Sequence, residues 1–100
     1  MYQRENPPSF DSNSKGFKIA KGFKIEMLFQ LYDEDDEMYL DWCHGEVKGI
    51  VNRKNRIVEI EWHKKFVQKG KPSRTKQKLF VTKWNPEKPG AGAWRQYFPK

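Results

Sequence analysis

Two short runs of alternating apolar and polar residues, joined by a four-residue polar turn, constrain this chain more than any other feature. The first is Trp42-Cys43-His44-Gly45-Glu46-Val47-Lys48-Gly49-Ile50-Val51, the turn is Asn52-Arg53-Lys54-Asn55, and the second run extends from Arg56 to His63. In the second run Val58, Ile60 and Trp62 fall on one face and Glu59 and Glu61 on the other, the period of two that a half-buried strand requires. The turn composition makes the pair a β-hairpin. Gly45 and Gly49 permit a sharp bend or bulge in its first strand.

The flanking segments are read against that hairpin. From Phe23 the alternation of Phe23, Ile25, Met27 and Phe29 with Lys24, Glu26, Leu28 and Gln30 predicts a further strand, while Ile25, Leu28, Phe29 and Tyr32 also match one face of a helix. The glycine before it and the density of aromatic residues favour the strand. An acidic loop, Asp33-Glu34-Asp35-Asp36-Glu37, separates it from the hairpin. Residues 64–78 read as a basic excursion containing Gly70 and Pro72, followed by a fourth strand from Leu79-Phe80-Val81 to about Trp84. The stretch Asn85-Pro86-Glu87-Lys88-Pro89-Gly90 breaks regular structure, and Trp94 to Phe98 is a closing strand or a single helical turn. Residues 1–22 read as a flexible N-terminal arm. It ends in a near-duplication, Lys15-Gly16-Phe17-Lys18-Ile19-Ala20 against Lys21-Gly22-Phe23-Lys24-Ile25-Glu26, too short to be an architectural repeat, although either copy can pair with the same neighbour.

The chain has 100 residues, enough for one domain, placed at 23–100. With 36% hydrophobic residues of which aromatics supply a large part, the core must lean on Trp, Phe and Tyr rather than on aliphatics. That shortage disfavours two sheets packed face to face. The expected fold is all-β, a small, strongly bent five-stranded barrel whose closure removes exposed edges; a five-stranded OB-type barrel is the nearest competitor. No run of about 18 apolar residues exists to span a membrane, and the polar start lacks the apolar stretch of a signal peptide. Cys43, the single cysteine, has no partner within the chain for a disulfide, so a reducing compartment is expected.

The net charge of +7 is unevenly spread: +2 over residues 1–22, −6 over 23–42 and +11 over 43–100. Such a surface attracts polyanions at one face and cations at another. Lys64, Lys65, Lys69, Lys71, Arg74, Lys76 and Lys78 occupy fifteen residues that contain no acid, and the hairpin turn adds Arg53, Lys54 and Arg56. That density favours phosphate contact over simple solvation. Flexible lysines position on phosphates without reading bases, so binding of this kind weakens with salt and shows little sequence preference.

At Trp42-Cys43-His44-Gly45-Glu46-Val47, followed by the basic turn and Ile57-Val58-Glu59-Ile60-Glu61-Trp62, the chain resembles the SH3-like barrels of the Tudor, chromo-barrel and PWWP group over about residues 23–84. The resemblance implies a noncatalytic recognition module for a basic peptide methylated on lysine or arginine, such as a histone tail, bound in an aromatic cage at one mouth of the barrel. Aromatic faces and a nearby carboxylate hold such a cation by cation–π and Coulomb attraction. By position the cage candidates are Tyr32, Trp42, Trp62 and Phe66, with Asp35 or Asp36 as the carboxylate. Two features depart from the family: the usual cage position two residues before the small residue of the second strand is Cys43, and the loop after the third strand is His63-Lys64-Lys65-Phe66 rather than acidic. SH3-like barrels also occur as DNA-binding domains of integrases and transposases, and the basic loop at 64–78 fits that variant. The resemblance and the charge together imply a nuclear protein.

Each candidate has a plainer reading. Trp62 continues the inward face of Val58 and Ile60; Tyr32 and Tyr39 can simply clamp the acidic loop; Trp84 and Trp94 read as a lid packing the final segment over the barrel, and the apolar end from Trp84 to Phe98 can instead dock on another domain of a larger protein. Trp42 is out of phase with Cys43, Gly45 and Val47, which marks it for the surface. A calcium loop starting at Asp33 needs glycine at its sixth position and glutamate at its twelfth, but Met38 and His44 stand there. Cys43, His44 and His63 lack a second cysteine pair for zinc, and the two histidines are expected to face water or to pair with Glu59 or Glu61. No phosphate loop, nucleophile elbow or acid–base pair stands out, so neither catalysis nor a cofactor is expected. The partners expected are a methylated basic peptide, DNA or RNA, met by a monomer away from membranes.

Overall fold

The computed structural model describes residues 19–67 and 69–99. Five antiparallel strands form one sheet: β1 (Lys24–Tyr32), β2 (Met38–Asn52), β3 (Ile57–Trp62), β4 (Arg74–Lys78) and β5 (Trp94–Gln96), in the spatial order β4-β3-β2-β1-β5. The helical alternative for residues 25–32 is excluded: they pair with β2 from Lys24↔Glu46 to Tyr32↔Met38. The sheet is open, with β4 and β5 as its edges, so the all-β expectation holds in its coarse form.

The inward face carries the core. Ile25 and Met27 of β1, Cys43 and Val47 of β2, and Val58, Ile60 and Trp62 of β3 are buried, each two residues from the next as the pleat demands, save the four-residue step across Gly45. Trp94 of β5 is fully buried, donates its indole N–H to the Phe80 carbonyl at 2.8 Å, and lies 4.8 Å from the Trp84 ring. Trp84 and Trp94 therefore close over the core, as the lid reading expected. β2 is long enough to serve both neighbours, and its pairing with β3 shifts register between Val47 and Gly49 and again between Ile50 and Asn52. The first irregularity spans Lys48, beside the glycine marked for a bulge. Gly45 has another cause: a Cβ there would stand 2.5 Å from the Glu61 carbonyl oxygen, so only glycine lets β3 approach so closely.

Two segment assignments are corrected. The fourth strand is Arg74–Lys78, not the stretch from Leu79 to Trp84. Thr75 and Gln77 turn inward, where Thr75 Oγ1 accepts hydrogen bonds from the Trp62 indole N–H at 2.8 Å and the Gln77 amide at 3.0 Å; Arg74 and Lys76 face outward opposite Glu61 and Glu59. A strand held by polar inward contacts and ion pairs has no apolar alternation to betray it. The apolar residues that follow leave the sheet: Leu79 is buried, with its N–H bonded to the Arg56 carbonyl, and Val81–Lys83 form a 3-10 turn. Within the stretch assigned to the arm, Ile19 is fully buried in the core and Gly22, at φ 97°, donates its N–H to the Val47 carbonyl at 2.8 Å. Residues 1–18 of that arm, the first copy's Phe17 among them, lie outside the described residues.

Candidate functional site

Because Cys43, Gly45 and Val47 of β2 point into the core, Trp42, His44 and Glu46 point to the opposite, outer face. There His44 gathers three other rings. Tyr97, placed by its N–H bond to the Lys24 carbonyl, stacks on His44 with centroids 4.0 Å apart and planes 3° from parallel. His63 follows β3 and is tied by its N–H to the His44 carbonyl at 3.0 Å, which sets the two imidazoles 4.9 Å apart. Phe66, at the end of a 3-10 turn over Lys64–Phe66, presents its edge to His44 at 5.0 Å. His63 Nδ1 accepts from the Lys65 backbone N–H. Burial first, then the charges of His63 and Lys65, push the His44 imidazole below its ordinary value against the opposing pull of Glu26. The two histidines thus join a ring cluster rather than Glu59 or Glu61.

Beside the rings a chain of ion pairs crosses four strands. Glu46 binds Lys24 and Lys48, Lys48 also reaches Glu61 at 3.6 Å, and Arg74 reaches Glu61 at 3.5 Å and Glu59 at 3.7 Å. The ammonium groups of Lys24 and Lys48 hold the Glu46 carboxyl down at about 2. Exposed pairs of this kind add little stability one by one, but they fix where the cations stand. His44, His63 and Tyr97 and the paired side chains of Lys24, Glu46, Lys48 and Glu61 line an open groove of about 960 Å³, together with Lys64, Lys69 and Lys71 of the β3–β4 connection. These three lysines have no ion-pair partner among the described residues.

The cage candidates are not brought together. Trp62 is only 8% exposed, lies in the core, and meets Phe29 edge to face at 5.1 Å. Trp42 is on the opposite face, with the Arg95 guanidinium over its ring at 3.8 Å; a resident cation already occupies that aromatic face. Tyr32 is 60% exposed at the far end of β1, beside Asp35 and Asp36 in a turn where Asp33 Oδ1 caps the N–H groups of Asp35 and Glu37. Trp62 and Phe66 do share a recess of about 270 Å³ with Phe29 and Leu31, but Lys71 lines it and no carboxylate does. The physical reason is strand parity: Gly45 pairs with Trp62, and Trp42 is an odd three residues from Gly45.

Of the basic candidates, Lys64, Lys69 and Lys71 stand at the groove. Lys65 lies over Phe66 at 4.9 Å and Lys78 over Phe80 at 5.2 Å; Arg74 is engaged by Glu59 and Glu61; Lys76 is exposed on β4; Arg53 and Lys54 stand at the β2–β3 turn, the opposite end of β3. Sequence reasoning missed Lys24, Lys48 and Tyr97 as parts of one site. Only the pairing of β1 with both β2 and β5 brings them together. Among the described residues no group of three His, Cys, Asp or Glu side chains is placed to hold a metal ion, and no helix is long and apolar enough to cross a membrane. No protein-family model, curated protein or solved structure matches this chain.

Proposed function

We propose that this chain is a noncatalytic nucleic-acid-binding module and that the groove between the His44–Tyr97 stack and the β3–β4 connection is its binding site. The observation that carries this reading is the set of three uncommitted lysines, Lys64, Lys69 and Lys71, facing a concave surface that also holds Lys24 and Lys48. Released counterions supply the affinity when lysines meet consecutive phosphates. The excess of positive charge over residues 43–100 draws the polyanion to this side, and the acidic turn at 33–37 turns it away from the other. As a fold we infer a variant of the SH3-like barrel. The placement of β5 beside β1 and the continuous β2 that pairs on both sides support it, as does the Trp84–Trp94 bridge.

Fluorescence anisotropy with a labelled oligonucleotide tests the reading. Affinity falls steeply between 50 and 200 mM salt, on the scale known for phosphate-dominated binding. Replacing Lys64, Lys69 and Lys71 together by Gln reduces the slope of log K against log salt by about 2. Salt-independent affinity, or a triple variant that binds like the parent, overturns it. The methylated-peptide alternative gives the opposite result, since those lysines repel its ligand.

A further inference from the structure

We infer that the groove takes a single strand rather than a duplex, with its phosphates along Lys64, Lys69 and Lys71 and a base laid against Tyr97. This rests on the nucleic-acid reading above and goes beyond it by naming the form of the ligand.

Two observations separate the forms. First, the groove is not uniformly basic. Besides Lys64, Lys69 and Lys71 of the β3–β4 connection, unpaired among the described residues, it is lined by the outer sheet face, where the carboxylates of Glu46 and Glu61 balance Lys24 and Lys48 beside the rings of His44 and Tyr97. A duplex presents phosphates on both its strands and keeps its base faces stacked inside, so it would bring phosphate toward the carboxylates and leave the rings without a partner. A single strand presents phosphate on one side and bases on the other. Phosphates meet the three lysines, while exocyclic amino groups and base faces meet acceptors and rings.

Second, the stack is already half built. His44 lies parallel to Tyr97 at 4.0 Å and is braced by the edge of Phe66 and by His63, so its orientation is set before any ligand arrives. Tyr97 is half-buried, lines the groove and has no other ring partner among the described residues. A base that stacks on Tyr97 extends an ordered pile of rings at small entropic cost. The acceptors are oriented too, since Lys24 and Lys48 fix Glu46 from both sides.

The test compares a labelled 12-nucleotide single strand with a 12-base-pair duplex of the same sequence at equal salt, using the whole chain. The single strand binds about tenfold more tightly, Tyr97→Leu loses about tenfold for the single strand only, and Tyr97→Phe keeps the parent affinity. Should Tyr97→Leu fail to fold, the parent protein supplies the same answer by proton NMR: stacking moves the Tyr97 and His44 ring signals upfield on adding single strand and not on adding duplex. Equal affinity for the two forms, or ring signals that do not move, overturns the single-strand assignment while salt-dependent binding keeps the nucleic-acid reading. Absence of binding to either form overturns both.

Discussion

The two ends of the β1–β2 pair are made from the same strands and behave as different materials. Toward the groove, β1 and β2 lie in the middle of five strands, bury one face against Val58, Ile60, Trp94 and Leu79, and use the other to align rings and ion pairs. Toward the acidic turn they run on as a two-stranded ribbon. β3 pairs with β2 only from Gly45 onward, and β5 pairs with β1 only over Ile25–Met27. Tyr32, Met38, Tyr39 and Leu40 of the ribbon are all exposed, and six acids between Asp33 and Asp41 go uncompensated by any base there. Apart from Phe29 and Leu31, which still pack against the core, the ribbon has no inside and its tip is not ordered by burial, and its net charge keeps it from pairing with other ribbons. Precision is available where the sheet is wide, and that is where the candidate site lies.

The sharpest way to break this contrast is to remove apolar bulk from each end. Trp94→Ala, which empties a fully buried site and loses the bond to Phe80, costs about 4 kcal/mol in urea unfolding. Leu40→Ser in the ribbon changes stability by no more than about 0.5 kcal/mol. A ribbon substitution as costly as the core one shows that the ribbon is packed against something.

Cys43 stands at the boundary of the two ends. Burial first, then the Asp41 carboxylate, raises its thiol to about 11 from 9.0, which leaves roughly a hundredth of the thiolate a free cysteine has at neutral pH. Alkylation is therefore about a hundredfold slower than that of a free thiol. Fast alkylation under conditions where the core stays folded means that the ribbon opens as far as residue 43, which moves the boundary toward the groove.

Glycine substitutions locate the same boundary from the backbone. Gly45→Ala puts a Cβ against the Glu61 carbonyl, the Ile60 Cγ2 methyl and the Trp62 Cα, forcing β2 and β3 apart at a cost of about 2 kcal/mol. Gly49→Ala meets nothing within 4 Å and is close to neutral, read in the same unfolding experiment. Equal effects at the two positions mean that β3 does not pack as tightly on β2 at the groove as the pairing requires.

How much of this was legible follows from what each element uses to hold itself. The β2–β3 hairpin declared itself because Val58, Ile60 and Trp62 alternate with glutamates, and the bulge at Lys48 because Gly49 follows it. β4 was hidden: Arg-Thr-Lys-Gln-Lys holds its place through Thr75 and through charges whose partners lie on another strand. Ile19 stood in the first copy of the near-duplication, and nothing in so short a repeat says which copy supplies the core. The groove lysines showed as charge density, yet the stack of His44 on Tyr97 joins residues more than fifty apart and has no signature short of the topology. Trp42, out of phase with its strand, carried a signal that parity would keep it from Trp62.

Acidification sharpens the contrast with the smallest effect, and its sign separates stability from binding. The Glu46 carboxyl, held near 2 in the folded chain against 4.5 in its ordinary state, contributes stability that is complete above 4.5 and is lost as pH falls through about 2; Glu46→Gln removes that pH dependence. His44 acts at higher pH. Its folded value lies below 6.5, so the unfolded chain takes up the proton first and the fold loses stability as pH falls from about 7 through 6.5 and below. A polyanion in the groove favours the same proton through its overall negative charge, so nucleic-acid affinity rises modestly over the range in which the free protein becomes slightly easier to unfold. His44→Gln removes the His44 part of that stability change and reduces the pH dependence of affinity. Affinity that falls on acidification, with the fold intact, means that the polyanion does not lie against the rings, and the two ends of the β1–β2 pair would then share one role.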